Sequence, residues 1–143
     1  MKTRGSRVDH RIDMIIEVIM ELSELSSSGV PILVEGKRDE KALKELGVDG
    51  RIIRLNQFRK RLFELSEELS SFKCVIILTD FDKEGEDLAE EIGRQVQHWG
   101  VQTIMREKVR NAVSWATKEV EGFSKIRGMQ EKLNNKQFIM NSS

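Results

Sequence analysis

The most strand-like stretch of the chain is CVIILTDFDKEGE, residues 74–86. Its first six residues are apolar or β-branched, which is typical of a strand covered on both faces of a parallel sheet. Asp80 and Asp82 follow this strand directly, and Gly85 comes soon after. Because side chains two residues apart in an extended segment point to the same side, the two aspartates are predicted to face one site.

A second apolar strand, PILVEG at residues 31–36, ends in Glu35 and Gly36. Strands and helices alternate along the rest of the chain, which predicts an α/β fold with about four mainly parallel strands flanked by helices. The other predicted elements are a helix from about Asp9 to Ser26, a helix at Asp39–Leu46, a strand at Arg51–Leu55, a helix between Phe58 and Phe72, a helix with Leu88, Ile92, Val96 and Trp99 on one face, a strand at Val101–Met105 and a last helix from about Ser114. Sites in such sheets form at the carboxyl ends of the strands, where both acidic segments fall.

The length of 143 residues fits one folded core with two flanking segments. We expect an N-terminal helix at residues 1–29, a core domain at 30–110, and a C-terminal helix with a polar tail at 111–143. An apolar face on the first helix (Ile12, Ile15, Ile16 and Ile19) fits packing on the core or a dimer contact, and the intramolecular role is favoured.

The composition indicates a globular cytoplasmic protein. Apolar residues make up 38% of the chain and charged residues 34%, and no apolar run approaches the roughly 20 residues that span a bilayer. We therefore expect neither a signal peptide nor a membrane anchor. Cys74 is the only cysteine, which excludes an intrachain disulfide and a cysteine-built zinc site.

Charge is unevenly distributed although the formal net charge is zero. Seven acids and one base lie between Asp80 and Glu91, whereas residues 51–61 hold five bases and no acid. Bringing Glu35 close to Asp80 and Asp82 would create like-charge repulsion, which a hard divalent cation relieves. Magnesium prefers carboxylate oxygens, so the two strand ends predict an Mg²⁺ site, with Mn²⁺ as a substitute ion.

At these residues the chain resembles the Toprim family, the catalytic domain shared by topoisomerases, bacterial-type primases, some nucleases and recombination mediators. The shared pattern is an apolar strand ending in Glu35-Gly36, an acid at Asp39, and a later strand ending in Asp80-Phe81-Asp82. Residues 82–86 continue as in type IA topoisomerases, and the length resembles that of small stand-alone Toprim proteins of archaea. The resemblance assigns residues 30–110 to a Rossmann-like Toprim domain.

The resemblance implies roles for the acids and for nearby cations. Glu35 would bind metal and serve as general acid or base, Asp80 would lie between one or two metal positions, and Asp82 would complete the second. The further candidates are Glu84 as an alternate ligand, Asp39 as an additional acid or helix cap, and Lys37, Arg38 and Lys83 as phosphate-binding residues.

Missing residue types narrow the resemblance. The chain has no tyrosine to form a covalent link to a broken strand, and it lacks the cysteine zinc elements of primases and recombination mediators. The nearest activity is then that of the 5S ribosomal RNA maturase and related nucleases, so RNA is slightly favoured over DNA. A haloacid-dehalogenase phosphatase also carries Asp-x-Asp, but it leaves Glu35-Gly36 unexplained, and a receiver domain needs an acidic pair on its first strand.

Two functions stay open at this point. One is a magnesium-dependent nuclease or phosphotransferase, and the other is an accessory module that binds nucleic acid or protein without catalysis. The complete acid set favours the enzyme, and the neutral net charge favours the module. Trp115 fits a packing anchor better than a base-stacking platform.

Overall fold

The structure is a computed structural model that describes residues 6–58 and 61–119. Helices and strands alternate within these ranges: α1 (Ser6–Ser27), β1 (Ile32–Val34), α2 (Lys37–Glu45), β2 (Ile52–Arg54), α3 (Leu62–Leu69), β3 (Cys74–Ile77), α4 (Lys83–His98), β4 (Gln102–Thr103) and α5 (Arg106–Glu119). A 3-10 turn at Leu55–Gln57 follows β2. None of the described helices is long and apolar enough to cross a membrane.

The four strands form one parallel sheet in the order β2-β1-β3-β4. Ile32 of β1 lies opposite Ile52 of β2 on one side and opposite Ile76 of β3 on the other. β3 pairs in turn with β4. This arrangement confirms the predicted α/β fold, and the central position of β1 and β3 explains why both are almost entirely apolar.

The main core lies between the sheet and two of its helices. Its most buried members are Leu33, Leu65, Leu69, Val75, Ile77, Ile92, Val96 and Val101. Burial of each such side chain contributes about 1.5–3 kcal/mol relative to exposure. Trp99 was predicted to share this face but follows the last residue of α4, where it is 39% exposed and donates from Nε1 to Ser66 Oγ at 3.2 Å.

Contacts between Cα atoms divide the chain into two compact units, residues 22–107 and residues 1–21 with 108–143. In the second unit, Ile15 is buried against a set of partly buried neighbours: Ile12, Ile19, Ala112 and Trp115. Lys108 Nζ lies 3.1 Å from both carboxylate oxygens of Glu21. Trp115 is therefore a packing residue, and the apolar face of α1 is used within the chain.

The predicted start of the last helix is wrong. α5 begins at Arg106, eight positions before the expected Ser114. Met105 takes a left-handed conformation with φ of 75°, which turns the chain from β4 straight into the helix. No glycine or proline marks that turn, so the sequence carried no signal for it.

Two other helix boundaries also differ from the prediction. α2 begins at Lys37 instead of Asp39, because extended Gly36 provides its N-cap position. α3 covers only Leu62–Leu69 of the predicted region, since the chain first makes the 3-10 turn after β2. The predicted polar end of the C-terminal segment, residues 134–143, lies outside the described residues.

Candidate functional site

The two acidic segments leave the sheet at neighbouring strand ends. β1 is followed by Glu35, and β3 is followed after two residues by Asp80. β2 lies on one side of β1 and β3 on the other, so the connections diverge at the β1–β3 pair. Such a switch point opens a crevice outside the carboxyl ends of the strands.

Glu35 and Asp80 are in direct contact. The backbone N–H of Asp80 donates to Glu35 Oε2 at 2.8 Å. Although the Asp80 side chain is exposed, partial desolvation raises the pKa of its carboxyl, as do the charge of Glu35, a side-chain hydrogen bond with Glu35, and the charges of Asp39 and Asp82. Ionisation of Asp80 is therefore less favourable than in an isolated residue. We call Glu35, Asp39, Asp80 and Asp82 the acid cluster.

Asp39 and Asp82 also cap the helices that follow the two strands. Asp82 is the N-cap of α4, and its Oδ1 accepts from the Gly85 N–H at 2.7 Å. Asp39 lies in the first turn of α2, and its Oδ2 accepts from the Gly36 N–H at 3.1 Å. Each bond satisfies a backbone donor at a helix start. The capping role predicted for Asp39 is confirmed, whereas that of Asp82 was not foreseen.

The loop between β3 and α4 is folded tightly on itself. A Cβ atom at Gly85 would lie 1.9 Å from the Asp80 carbonyl oxygen, so only glycine fits there. Buried Thr79 donates from Oγ1 to the Gly85 carbonyl at 2.6 Å. This close backbone approach at Gly85 fixes the path of the chain through the two aspartates.

Arg106, the first residue of α5, reaches across the sheet edge to this loop. Its Nη1 donates to the carbonyls of Ile77 and Thr79, both at 3.0 Å, and its Nη2 donates to that of Asp80 at 3.1 Å. Nε and Nη2 also bond to Glu86 Oε1, at 3.1 and 3.0 Å. The guanidinium lies 4.6 Å from the centre of the Phe81 ring.

Arg106 was missed from the sequence. The available signal was a base at the carboxyl end of β4, the strand that neighbours β3. Reading that signal required the strand order and the early start of α5, neither of which the local sequence provides.

Comparison with known families agrees with this geometry. A model of the Toprim domain matches residues 30–113, which include both acidic strand ends and Arg106. The chain is a member of the Toprim family. The match covers more than half of the 143 residues and confirms the family predicted from the Glu-Gly and Asp-x-Asp patterns.

Small archaeal proteins are similar to this Toprim protein over most of both chains. A UPF0292 protein from Methanosarcina acetivorans is 38% identical over 124 residues, covering 82% of this chain and 85% of the relative. Another from Thermococcus sibiricus is 36% identical over 121 residues, covering 83% and 87%. A solved structure of a protein from Aquifex aeolicus has a TM-score of 0.56 at 30% identity, covering 71% of this chain and 87% of that one.

Toprim domains generally bind Mg²⁺, and the acids here suit that ion by their chemistry. Among the described residues, no group of three His, Cys, Asp or Glu side chains is already disposed around a metal position. Glu35 and Asp82 each have one carboxylate oxygen committed to a backbone N–H. Magnesium does not need an all-protein cage, because it retains waters and substrate phosphates around one or two carboxylates. The crowded carboxylates and the raised pKa of Asp80 fit such a cation.

The other predicted site residues lie around the cluster without joining it. Lys37 and Arg38 are exposed in the first turn of α2, immediately after Glu35-Gly36. Glu84 is exposed in the first turn of α4. Lys83 is 90% exposed, and its Nζ lies 3.8 Å from Asp87 Oδ2.

Proposed function

We propose that this Toprim protein binds Mg²⁺ through Glu35, Asp80 and Asp82, and that it carries out metal-dependent phosphodiester chemistry on nucleic acid in the cytoplasm. RNA is the favoured substrate. Mn²⁺ is expected to substitute for Mg²⁺. The family supports a metal-binding role related to nucleic acid, and the acid cluster at the switch point supports a site for it.

The contact between Glu35 and Asp80 is the observation that carries the proposal. It holds the Glu35 carboxylate against the Asp80 backbone, and the charge of Glu35 there disfavours ionisation of the Asp80 carboxyl, which a cation would relieve. The pKa of Asp80 is raised first by partial desolvation and then by the charge of Glu35, so repulsion between the two acids is part of that shift. The helix caps of Asp39 and Asp82 do not need the exposed Asp80 carboxylate, so its place beside Glu35 favours use in binding.

The protein groups supply positioning and proton transfer. Bound Mg²⁺ would neutralise charge on the phosphate oxygens and stabilise the attacking and leaving oxygens of a displacement. Glu35, at the end of a buried strand, would take or give a proton at a reacting oxygen. Lys37 and Arg38, exposed beside it, would hold a neighbouring phosphate of the strand.

A binding module is the second candidate, and the charge balance favours it. A nucleic-acid enzyme usually carries a basic surface, whereas this chain has a formal net charge of zero. Several of its bases are also paired: Arg54 bonds to Glu40, and Arg61 bonds to Glu64. In this alternative the acids bind metal, and the protein contributes to RNA or DNA metabolism without cleaving the strand.

Metal binding and cleavage can be tested separately. A ten-fold excess of Mg²⁺ over its dissociation constant should stabilise the wild type by about 1.4 kcal/mol and raise its melting temperature by about 4 °C. Structured RNA, single-stranded DNA and duplex DNA are then incubated with metal. We expect cleavage of structured RNA, and Glu35→Gln should slow it by about 10²–10⁴-fold.

Glu45→Gln is the matched control, because Glu45 is the last residue of α2, at the opposite end of that helix from the site. It should leave cleavage unchanged. Cleavage that survives in Glu35→Gln points to a contaminant, and metal-dependent binding without cleavage supports the module. A melting temperature that does not change with millimolar Mg²⁺ or Mn²⁺ would contradict both candidates.

A further inference from the structure

The carbonyls at the end of β3 converge on one side chain from another part of the chain. Arg106 bonds to three of these carbonyls within four residues, and it bonds to Glu86 one turn into α4. Its side chain is only 13% exposed, and the Phe81 ring covers one face of the guanidinium. This geometry goes beyond a surface ion pair, because the guanidinium donates to three backbone carbonyls between Ile77 and Asp80 as well as to the Glu86 carboxylate.

We propose that Arg106 is a positioning residue for the proposed metal site: it fixes the loop from Ile77 to Asp82 and thereby sets the place of both aspartates. The part of this inference that concerns metal binding rests on the proposed function. The bonds to the Thr79 and Asp80 carbonyls hold the two peptide groups on either side of the Asp80 Cα. The positive charge of Arg106 pairs with the Glu86 carboxylate, one turn into α4.

Lysine cannot take over this role. The planar guanidinium donates from three nitrogens in fixed directions, whereas an ammonium offers one charged point at the end of a flexible stem. Arg106→Lys keeps the charge but cannot bond to three carbonyls and a carboxylate together. The substitution therefore separates positioning from simple charge.

Amide hydrogen exchange in metal-free protein tests the positioning directly. In Arg106→Lys we expect the Asp80 amide, which donates to Glu35, to exchange at least about tenfold faster. The Ile76 amide, bonded to the Pro31 carbonyl inside the sheet, should change much less. An equal increase at both amides would mean that Arg106 serves only overall stability, and it would overturn the proposal.

Mn²⁺ binding, measured by electron paramagnetic resonance, is the second test of the proposal. Loss of a partner that orients metal ligands typically costs 10–100-fold in affinity, and we expect this loss in Arg106→Lys. Arg94→Lys is the control, because Arg94 is exposed and pairs with Glu90 and Glu91 on α4, about 16 Å along the helix from its first residue. Unchanged Mn²⁺ affinity in folded Arg106→Lys would contradict the claim that Arg106 positions the metal site.

Two outcomes need their own interpretation. Wild-type protein that binds no Mn²⁺ contradicts the proposed function, while the exchange comparison still decides whether Arg106 holds the loop. If Arg106→Lys does not fold, Phe81→Leu replaces it, since that change removes the ring face without altering charge. Exchange at Asp80 that is about threefold faster in Phe81→Leu supports the proposal, and unchanged exchange contradicts it.

Discussion

The carboxyl ends of β1 and β3 have the same arrangement of acids and helix caps, but they differ in how firmly the backbone is held. Each buried strand runs into an acidic residue, and each following helix starts with a carboxylate bonded to a backbone N–H. At β1, a Cβ atom on Gly36 would meet only the Asn56 side-chain nitrogen, at 3.2 Å. At β3, a Cβ atom on Gly85 would collide with backbone, at 1.9 Å from the Asp80 carbonyl oxygen.

This difference indicates that the two strand ends hold their acids with different rigidity. The β3 loop has a backbone contact, the Thr79 hydroxyl bond and Arg106 to fix it, so Asp80 and Asp82 are held in a preorganised position. The β1 end has no such backbone collision; it is held by the strand, by the Asp39 cap and by two bonds at Glu35, one from the Asn56 N–H to its carbonyl and one from the Asp80 N–H to its carboxylate. The β3 end, which carries both aspartates, is therefore the more firmly fixed of the two.

The largest difference between the two strand ends is expected when Gly85 and Gly36 are each replaced by alanine. Gly85→Ala should lower the free energy of unfolding by about 3 kcal/mol or more, because the methyl group forces the backbone of α4 away from the loop. Gly36→Ala should change it by no more than about 1 kcal/mol, because φ is −154° and a side chain can move aside. Urea denaturation of both variants provides the measurement.

Gly93→Ala controls for helix propensity in the same α4 helix. Its Cβ would make an ordinary contact, 3.8 Å from Thr103 Cγ2, so it should stabilise the protein by about 0.5–1 kcal/mol. Equal destabilisation by Gly85→Ala and Gly36→Ala would remove the contrast between the two ends.

A smaller effect is expected from the buried hydroxyl of the β3 loop. Thr79→Val keeps the shape of the side chain but loses the bond to the Gly85 carbonyl, which should cost about 1–2 kcal/mol. Thr103→Val, on the exposed strand β4, should stay within about 0.5 kcal/mol. If both variants had the same stability in urea, the hydroxyl bond would not help to fix the loop.

The sequence predicted the location of the acids because each follows a buried apolar strand. Carboxyl ends of parallel strands share one edge of the sheet, so Glu35 and Asp80 could be placed together without knowing the strand order. The metal and catalytic roles of Glu35, Asp80 and Asp82 stay predictions. The N-cap role of Asp82 had a sequence signal, an aspartate just before a helical pattern, but the acidic motif drew attention to metal binding instead.

Other features depend on contacts that no local pattern encodes. Met105 takes a positive φ although it is neither glycine nor asparagine, so the sequence contained no signal for the turn into α5. The helix was therefore expected eight residues too late. Arg106 is the first residue of this helix, whereas the sequence predicted that it begins at about Ser114. Its role depends on β4 lying beside β3, which is a tertiary fact.

The smallest expected effect concerns the charge shared between the two ends. Asp80→Asn removes one charge from the cluster and leaves an amide that can donate to Glu35. At pH 7 without metal, this variant should be more stable than the wild type, by less than about 1 kcal/mol because the site is exposed to solvent. Asp49→Asn, before β2 at the opposite end of the sheet, should show no such gain.

The pH dependence of that gain identifies its cause. The pKa of Asp80 is raised in the folded protein, so the native state binds this proton more tightly than the unfolded chain does. The destabilisation is therefore complete above the folded pKa, and it declines as the pH falls through that value towards the ordinary 3.8. The advantage of Asp80→Asn over wild type in urea should shrink from pH 7 to pH 4, and saturating Mg²⁺ at pH 7 should reverse it by stabilising only the wild type. An advantage that does not change with pH would mean that the gain comes from packing or hydrogen bonding, and the two strand ends would then not be coupled by charge.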